Sequence, residues 1–379
     1  MQIAQHVWTH STETLVGGGR GECKNPQLVL VFAAPEWLRD PETWQRLRAR
    51  WPSAQLVAGS TAGEISETHV LDDSLVATAL QFDKSQIRTE RVALSDGTSS
   101  EALGQQLGER LLGEGLRHVF VLSDGLKVNG SALVRGLSER LPAGVSLTGG
   151  LCGDGARFER THLGLNDFDA GECAIGIGFY GESLRVGMAS LGGWDPFGPE
   201  RRVTRSEGNV LFELDGQPAL ALYQKYLGEH AAGLPGSGLL FPLSVRARQE
   251  DTAVVRTILA VDHERGSLTF AGDVPIGHYA RLMRANFDRL VDGACGAARA
   301  SSSELGSIDS QLAILISCVG RKLVLKQRIE EEVEGVQRVL GDSVVMTGFY
   351  SYGEISPFTP GARCELHNQT MTITTLAEA

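Results

Sequence analysis

The chain has 379 residues, of which 46 are glycine, 42% are apolar and 21% are charged. An average chain of this length has roughly 27 glycines, but the excess here follows no period, which excludes a collagen-like or low-complexity protein. The net charge of −11 comes without any cluster of Lys and Arg, which argues against nucleic acid or an anionic membrane surface as a partner.

The sequence predicts a cytoplasmic protein that does not insert into a membrane. The first residues show no basic region followed by an apolar stretch, so we expect no signal peptide. Uncharged runs such as residues 231–245 contain Gly and Pro and are too short for a spanning helix. The six cysteines are scattered without a CxxC pair, which is typical of reduced thiols in the cytosol.

In chain order, the first predicted unit is a strand, a helix and a second strand. The apolar run LVLVFA at residues 28–33 predicts a buried strand. Asp40 followed by proline predicts the start of a helix, because Asp caps helices and Pro favours their first position. A second apolar run at residues 56–58 leads into a glycine-rich turn, GSTAGEI at residues 59–65.

The same pattern recurs twice further along the chain. An apolar run at residues 119–122 and a predicted helix are followed by the turn GGLCGDG at residues 149–155. A third apolar run at residues 314–316 and another helix are followed by GFYSYGEI at residues 348–355. Any α/β protein has strand–helix–strand units, but the recurring glycine, small or aromatic residues, glycine and acid favour a true repeat.

Other elements are predicted around these units. Leucines spaced by four over residues 103–111 predict a helix before the second unit, and the spacing of Tyr279, Leu282, Asn286 and Leu290 predicts one before the third. The match to GxGxxG at residues 176–181 has no helix after it, so it predicts a hairpin between two strands rather than a dinucleotide site.

These patterns predict an α/β protein of two related lobes. Each lobe has mixed β-sheets flanked by helices and is built on β-α-β units that end in glycine-rich turns. We place the N-terminal lobe, with two units, at residues 1–197, and the C-terminal lobe, with the third unit, at residues 198–379. Two β-like runs around HERG at residues 263–266 predict a hairpin within the C-terminal lobe.

The glycine-rich turns predict a ligand site at the carboxyl ends of the parallel strands. Glycine allows close approach of the backbone, an acid can bind an amine or a hydroxyl, and Arg321 can hold a carboxylate. The alternative is that the glycines form tight turns and the acids cap the next segment. The residues expected at the site are Ser60, Thr61, Glu64, Ser123, Asp124, Cys152, Asp154, Cys318, Arg321, Tyr350, Tyr352, Glu354, His367 and Asn368.

Metal and thiol chemistry are weaker alternatives. No two of the nine histidines stand at a metal-ligand spacing, so we expect no zinc site. A haem axial ligand needs no spaced partner, and His367 is the first candidate, with His278 and His230 as others. Cys318 or Cys152 paired with His367 would make a thiol-dependent enzyme. These residues form no local catalytic signature, so we expect a protein that is not an enzyme.

Nine strings spread over nearly the whole chain resemble FIST proteins. Those resembling the N-terminal half are GSTAGEI at 59–65, SDG at 123–125, GGLCGDG at 149–155 and GGWDPFG at 192–198. Those resembling the C-terminal half are ELDGQPA at 213–219, NFD at 286–288, SCVGR at 317–321, GFYSYGEI at 348–355 and LHNQT at 366–370. The strings ending at Ile355 and Thr370 are the most specific.

The resemblance implies a sensory module of prokaryotic signal transduction. FIST domains are thought to bind small ligands such as amino acids and to pass the signal to a partner, for example a histidine kinase of a two-component system or a cyclic-di-GMP enzyme. One branch of the family binds haem and senses nitric oxide, so a haem-based nitric oxide sensor is the alternative. His367 lies in a string common to the wider family and does not distinguish the two.

Overall fold

A computed structural model describes residues 1–9, 12–20, 23–95, 97–167, 171–358 and 361–379. The elements up to residue 81 are β1 (Gln2–Trp8), β2 (Glu13–Arg20), β3 (Leu28–Ala33), α1 (Pro35–Arg39), α2 (Pro41–Arg50), β4 (Gln55–Ser60), β5 (Glu64–Ser66), β6 (His69–Leu71) and β7 (Leu75–Gln81). From residue 86 to 180 follow β8 (Gln86–Ala93), α3 (Ser100–Leu111), β9 (Leu116–Ser123), α4 (Gly130–Arg140), β10 (Ser146–Leu151), β11 (Leu163–Leu165) and β12 (Cys173–Tyr180).

The second half of the chain begins with many short strands. Up to residue 284 these elements are β13 (Leu184–Leu191), β14 (Asp195–Pro196), β15 (Arg201–Glu207), β16 (Val210–Leu214), β17 (Gln217–Pro218), α5 (Ala219–Leu227), two 3-10 segments (Gly228–Gly233 and Gly236–Leu240), β18 (Leu243–Arg246), β19 (Val254–Arg256), β20 (Ile258–Asp262), β21 (Ser267–Phe270) and β22 (Tyr279–Arg284). The last elements are α6 (Phe287–Ser303), β23 (Leu312–Cys318), α7 (Val319–Leu325), a 3-10 turn (Lys326–Arg328), α8 (Glu330–Leu340), β24 (Val345–Ser351), β25 (Gly353–Pro357), β26 (Cys364–His367) and β27 (Met371–Glu378).

Three units share one strand arrangement. In each unit a parallel pair, β3–β4, β9–β10 or β23–β24, is joined through helices. The first strand of each pair also bonds to an antiparallel strand, β7, β12 or β27. A further antiparallel strand, β1, β8 or β13, follows on this side of each sheet, and in the first sheet β2 pairs beyond β1. The α/β class with mixed sheets and flanking helices is therefore confirmed.

The units also exchange strands in a closed ring. Strand β5 follows the first parallel pair but bonds to β24 of the third unit. Strand β11 follows the second pair and bonds to β4 of the first, and β25 follows the third pair and bonds to β10 of the second. The N-terminal and C-terminal parts of the chain therefore build these three sheets together.

A common core lies between the three sheets. Phe32 of the first sheet, Phe120 of the second and Phe349 of the third belong to one buried apolar cluster. Neighbouring residues along β3 alternate in direction, so Val31 packs on the other face against Trp44 of α2. Both faces of these sheets are buried, which explains the continuous apolar runs in the sequence.

A fourth sheet lies between the second and third units in the sequence. Its nine strands are β14–β22, and its own apolar core includes Tyr223, Leu243 and Phe270. The predicted hairpin around residues 263–266 is confirmed, because β20 and β21 pair antiparallel on either side of it. This sheet forms one wall of the cleft cavity described below.

Two glycines of the repeated turns serve close packing between strands. A Cβ atom on Gly149 would lie 1.9 Å from the carbonyl oxygen of Val121, and Gly149 has φ +153°. A Cβ on Gly348 would lie 1.8 Å from the carbonyl oxygen of Leu315. Both contacts are with the adjacent parallel strand, so a side chain at either position would force the strands apart.

Two local predictions were wrong. Residues 279–284 form a strand rather than a helix, because Ala280 and Leu282 alternate into the core, and the helix begins only at Phe287, after the Asn286 cap. The predicted hairpin at residues 176–181 does not form, since β12 and β13 belong to different sheets. In both cases pairing with distant strands decided the structure.

Candidate functional site

A cavity of about 560 Å³, here called the cleft cavity, lies at the carboxyl ends of β9, β10, β23 and β24. These parallel strands form one wall, and the fourth sheet with its 3-10 segments forms the other. The residues lining it are 125–130, Leu151, Phe158, Asn209, Pro235, Gly236, Leu239, 257–259, 270–272, 318–320, Leu323 and Tyr352. The position agrees with the general rule for α/β sheets.

The chemistry of this lining is apolar with a few polar groups. Among the lining residues Lys127 alone is charged, and it makes no ion pair with any described residue. The buried hydroxyl of Thr257 has no hydrogen-bond partner in the described part of the chain. The Gln369 side-chain amide is also buried and unpartnered, and it lies against Gly320, where a Cβ would come within 2.3 Å of its nitrogen. Unsatisfied polar groups of this kind are typical of a ligand site.

Asp124 positions the wall that carries Lys127. Its Oδ1 accepts hydrogen bonds from the backbone N–H groups of Leu126, at 2.8 Å, and of Lys127, at 2.6 Å. Its Oδ2 accepts one from the Thr161 hydroxyl at 2.7 Å. The Asp124 carboxylate therefore holds the loop that lines the cleft cavity and is not itself among the lining residues.

Asp154 has a similar role for the aromatic part of the wall. Burial disfavours its charge, but hydrogen bonds from the Tyr352 hydroxyl and from backbone N–H groups outweigh burial and lower the pKa of Asp154. One of these N–H groups belongs to Phe158, whose ring stacks on Tyr352 with centroids 4.4 Å apart. Both rings line the cleft cavity.

The other two repeated acids, Glu64 and Glu354, are buried among hydroxyl groups. Glu64 accepts hydrogen bonds from Thr61 and Ser74, and Glu354 accepts them from Ser351 and Thr370. Burial raises the pKa of Glu64 to about 7 and that of Glu354 to about 8, although these hydrogen bonds oppose the shift. A separate cavity of about 180 Å³ is lined by Thr61, Glu64 and Asp154 among others.

Arg321 lies in a buried ion pair. Its guanidinium donates to Glu332 at 2.7 and 3.1 Å and to the carbonyl oxygens of Gly192 and Leu290 at 2.6 and 2.8 Å. The hydroxyl of Tyr350 donates to the same Glu332 at 2.8 Å. Arg321 and Tyr350 thus fix the start of α7, which contributes Val319 and Gly320 to the cleft cavity.

Ser60, Ser123 and Cys152 are buried away from the cleft cavity. The Ser60 hydroxyl donates to the carbonyl oxygen of Gly153 at 2.7 Å and accepts from the N–H of His162. The Ser123 hydroxyl makes a long contact of 3.4 Å with the Asp124 carbonyl oxygen. Burial raises the pKa of the Cys152 thiol well above its ordinary value.

His367 does not fit the role of a haem ligand. It is fully buried, its Nε2 is 2.7 Å from the Ser356 carbonyl oxygen, and its ring packs against Phe358 at 4.2 Å. Burial also lowers the pKa of His367 to about 4. The other two candidates, His278 and His230, do not line the cleft cavity. Each of them lines a different, separate cavity.

The structure thus brings Cys318 and Tyr352 together on the cleft cavity, while the other expected residues lie behind its wall or elsewhere. Asn368 is fully buried, and its amide has no hydrogen-bond partner among the described residues. Five polar residues that line the cleft cavity or lie next to it were not predicted from the sequence: Lys127, Asn129, Asn209, Thr257 and Gln369. Lys127 and Asn129 follow the SDG string, and Gln369 follows Asn368. Their closeness to these motifs in the sequence was the one signal that could have identified them.

Within the described residues, no group of three or more His, Cys, Asp or Glu side chains is arranged to hold a metal ion. The helices of that same part of the chain include none that is long and apolar enough to cross a membrane. All six cysteines lie in described segments, and none of them forms a disulfide.

Cys318 is expected to react slowly with iodoacetamide near neutral pH, although it lines the cleft cavity. Its side chain is almost fully buried, and burial, with the nearby Glu354 charge, raises the pKa of the thiol. The thiolate is the reactive form, so its population is very small at pH 7. Mass-spectrometric mapping of alkylated cysteines, with the denatured chain as the fast control, measures this. Rapid labelling of folded Cys318 would instead support a thiol-dependent enzyme.

Comparison with known proteins identifies the class. The sequence profile of the FIST N domain matches residues 27–217, and that of the FIST C domain matches residues 219–357. The chain belongs to the FIST family, whose domains are signal-transduction sensors of small ligands.

Two individual proteins are similar to the chain. An uncharacterized protein of Methanocaldococcus jannaschii is 21% identical over 374 residues, which covers 86% of this chain and 69% of that one. A solved structure, the cyanuric acid hydrolase of A. caulinodans, aligns with 10% identity over 78% of this chain and 99% of its own. The TM-score is 0.19, a value that carries no argument about fold or function.

Proposed function

We propose that this protein is a cytoplasmic, non-catalytic sensor whose ligand binds in the cleft cavity. The ligand has an apolar body and one anionic or hydrogen-bonding end, as an amino acid with an apolar side chain does. The observation that carries this proposal is the buried hydroxyl of Thr257, which has no partner among the described residues, in an apolar cavity whose described lining includes one charged residue, Lys127. The absence of disulfides among the six described cysteines supports the cytoplasmic location.

The two-walled construction of the cavity supports a role in signalling. One wall belongs to the ring of three sheets and the other to the fourth sheet, so a bound ligand contacts both. A ligand that touches both walls favours the arrangement in which they are close. We propose that this change is transmitted to a partner, such as a histidine kinase or a cyclic-di-GMP enzyme.

A thermal-shift screen of amino acids and small carboxylates tests ligand binding. A ligand that binds the folded chain raises its unfolding temperature as its concentration exceeds the dissociation constant. Recovery of the ligand unchanged after prolonged incubation would separate sensing from catalysis. Failure of every compound to shift the unfolding temperature, or a Soret band after reconstitution with haem, would contradict the proposal.

Thr257→Val is expected to weaken binding of the best compound from the screen by about 2- to 12-fold, the range that one hydrogen bond contributes. The free protein should unfold at the same or a slightly higher temperature, because the hydroxyl that is removed has no partner in the described structure. Isothermal titration calorimetry measures the affinity. Thr269→Val, in strand β21 of the fourth sheet but outside the cavity lining, is the matched control and should bind normally. Equal affinities of the two variants would place the ligand elsewhere.

A further inference from the structure

A second cavity, of about 380 Å³, is lined in part by strand β19, which ends at Arg256 immediately before Thr257. We call it the Arg256 cavity after the residue next to Thr257 in the chain. Arg256 lines this second cavity, whereas Thr257 lines the cleft cavity. The first turns of α4, including Ser131, and strand β26 form its opposite side.

Arg256 is a buried cation without a direct counter-charge. Its side chain is 6% exposed, and no described carboxylate lies within ion-pair distance of it. Its Nε donates to the carbonyl oxygen of Asp273 at 3.1 Å and its Nη1 to that of Leu366 at 2.8 Å. Nη2 has no hydrogen-bond partner among the described residues. Burial lowers the pKa of Arg256 to about 10, although the more distant charges of Glu365 and Asp273 oppose this shift.

The remaining charges around the cavity are mostly committed to other partners. Arg135 pairs with Glu101 and with Asp273, and Arg246 pairs with Glu200. The Asp251 carboxylate accepts a hydrogen bond from the backbone N–H of Arg248, which leaves its negative charge without an ion-pair partner. The charged lining residues that make no ion pair with a described residue are therefore Arg256 and the exposed Arg363, against Asp251 and Glu365.

A second polar group in the Arg256 cavity also lacks a partner. The hydroxyl oxygen of Ser131 is buried and makes no hydrogen bond to any described residue. Ser131 lies in the first turn of α4, an 11-residue helix whose N-terminus carries partial positive charge. Buried cations and hydroxyls normally have hydrogen-bond partners. The free donors of Arg256 and Ser131 on one cavity therefore indicate that an acceptor binds there.

We propose that the Arg256 cavity binds a small oxyanion, the carboxylate or phosphate group of a metabolite. Nη2 of Arg256 and the hydroxyl of Ser131 are its hydrogen-bond donors, and Arg363 attracts it at the rim. The planar guanidinium suits an oxyanion better than a lysine ammonium would, because its donors match two oxygens at once. The site is distinct from the cleft cavity, so its existence does not depend on the sensor ligand proposed above.

Calorimetric titration of the full chain at low ionic strength tests this site with inorganic phosphate and with citrate in separate experiments. We expect one-to-one saturable binding of at least one of them with a dissociation constant of about 1 mM or tighter. Arg256→Lys should weaken it at least about tenfold and Ser131→Ala about fivefold, through lost charge-assisted hydrogen bonds. Tight binding of one probe only would identify the oxyanion as phosphate or as carboxylate.

The matched control is Arg265→Lys, because Arg265 is an exposed arginine that faces Glu207 outside this cavity. It should bind the oxyanion as the unmodified chain does. If Arg256→Lys fails to fold, Ser131→Ala and Arg363→Ala still decide the question, since both positions are only partly buried or exposed. Absence of saturable binding by either probe, or equal binding by Ser131→Ala and the control, would overturn the proposal.

Discussion

Arg321→Ala is expected to lower the free energy of unfolding by about 3–5 kcal/mol, the usual effect of removing one partner of a buried ion pair. The variant leaves the buried Glu332 carboxylate without its counter-ion, and its remaining hydrogen-bond donors among the described residues are Ser317 and Tyr350. It also leaves the carbonyl oxygens of Gly192 and Leu290 without this donor. Urea denaturation measures the change through the transition midpoint.

The double variant Arg321→Ala/Glu332→Gln tests whether the unpaired charge of Glu332 causes this loss of stability. It removes the unpaired charge but keeps acceptors for Ser317 and Tyr350, so part of the lost stability should return. Arg46→Ala, which breaks an exposed pair with Glu42, should change stability little. A loss in Arg321→Ala no larger than that in Arg46→Ala would show that the buried pair contributes nothing to the fold.

Stability is expected to fall between about pH 4.5 and pH 8 because of Glu354. Its folded-state pKa of about 8 lies above the ordinary value of 4.5, so the folded chain binds this proton more tightly than the unfolded chain. The stabilisation is complete below pH 4.5 and is lost as pH rises to about 8, at up to about 1.4 kcal/mol per pH unit. Glu64, with a folded pKa of about 7, adds to the same trend.

Glu354→Gln isolates this contribution. The buried histidines His6, His118 and His367 have lowered pKa values and act in the opposite direction below about pH 6.5, so the total profile is mixed. Glutamine resembles the protonated acid, so the variant should lose less stability than the unmodified chain as pH rises from 5 to 8. Urea midpoints across this range test it, and parallel profiles would show that Glu354 stays ionised.

The order of strands and helices around the three parallel pairs was readable from the sequence because its signals are local. Residues 28–33 are apolar on both faces of a strand, and Asp40 caps α2 through the N–H of Glu42 as predicted. Sheet membership was not readable, because β5, β11 and β25 pair with strands far away in the chain. For residues 279–284 the helical spacing and the strand alternation both fitted, and pairing with β18 decided between them.

Only one wall of the cleft cavity, the one at the ends of the parallel strands, could be predicted from the sequence. The glycine-acid turns lie at the same end of the parallel strands as the cleft cavity, but their acids are satisfied by nearby hydroxyl and N–H groups such as those of Thr370. The residues that face the cleft cavity from the fourth sheet, Asn209 and Thr257, belong to no motif. Their position depends on how that sheet packs against the ring, which no local pattern records.

The ring of exchanged strands has a consequence for synthesis of the chain on the ribosome. Strand β10 pairs with β25 and strand β5 pairs with β24, and both partners lie near the end of the sequence. Neither sheet is therefore complete until nearly the whole chain has emerged. Such long-range pairing slows folding and leaves strand edges exposed in nascent chains. The sensor is therefore made as one indivisible unit, and a ribosome that stops early releases an incomplete chain with open edges that chaperones or proteases must recognise.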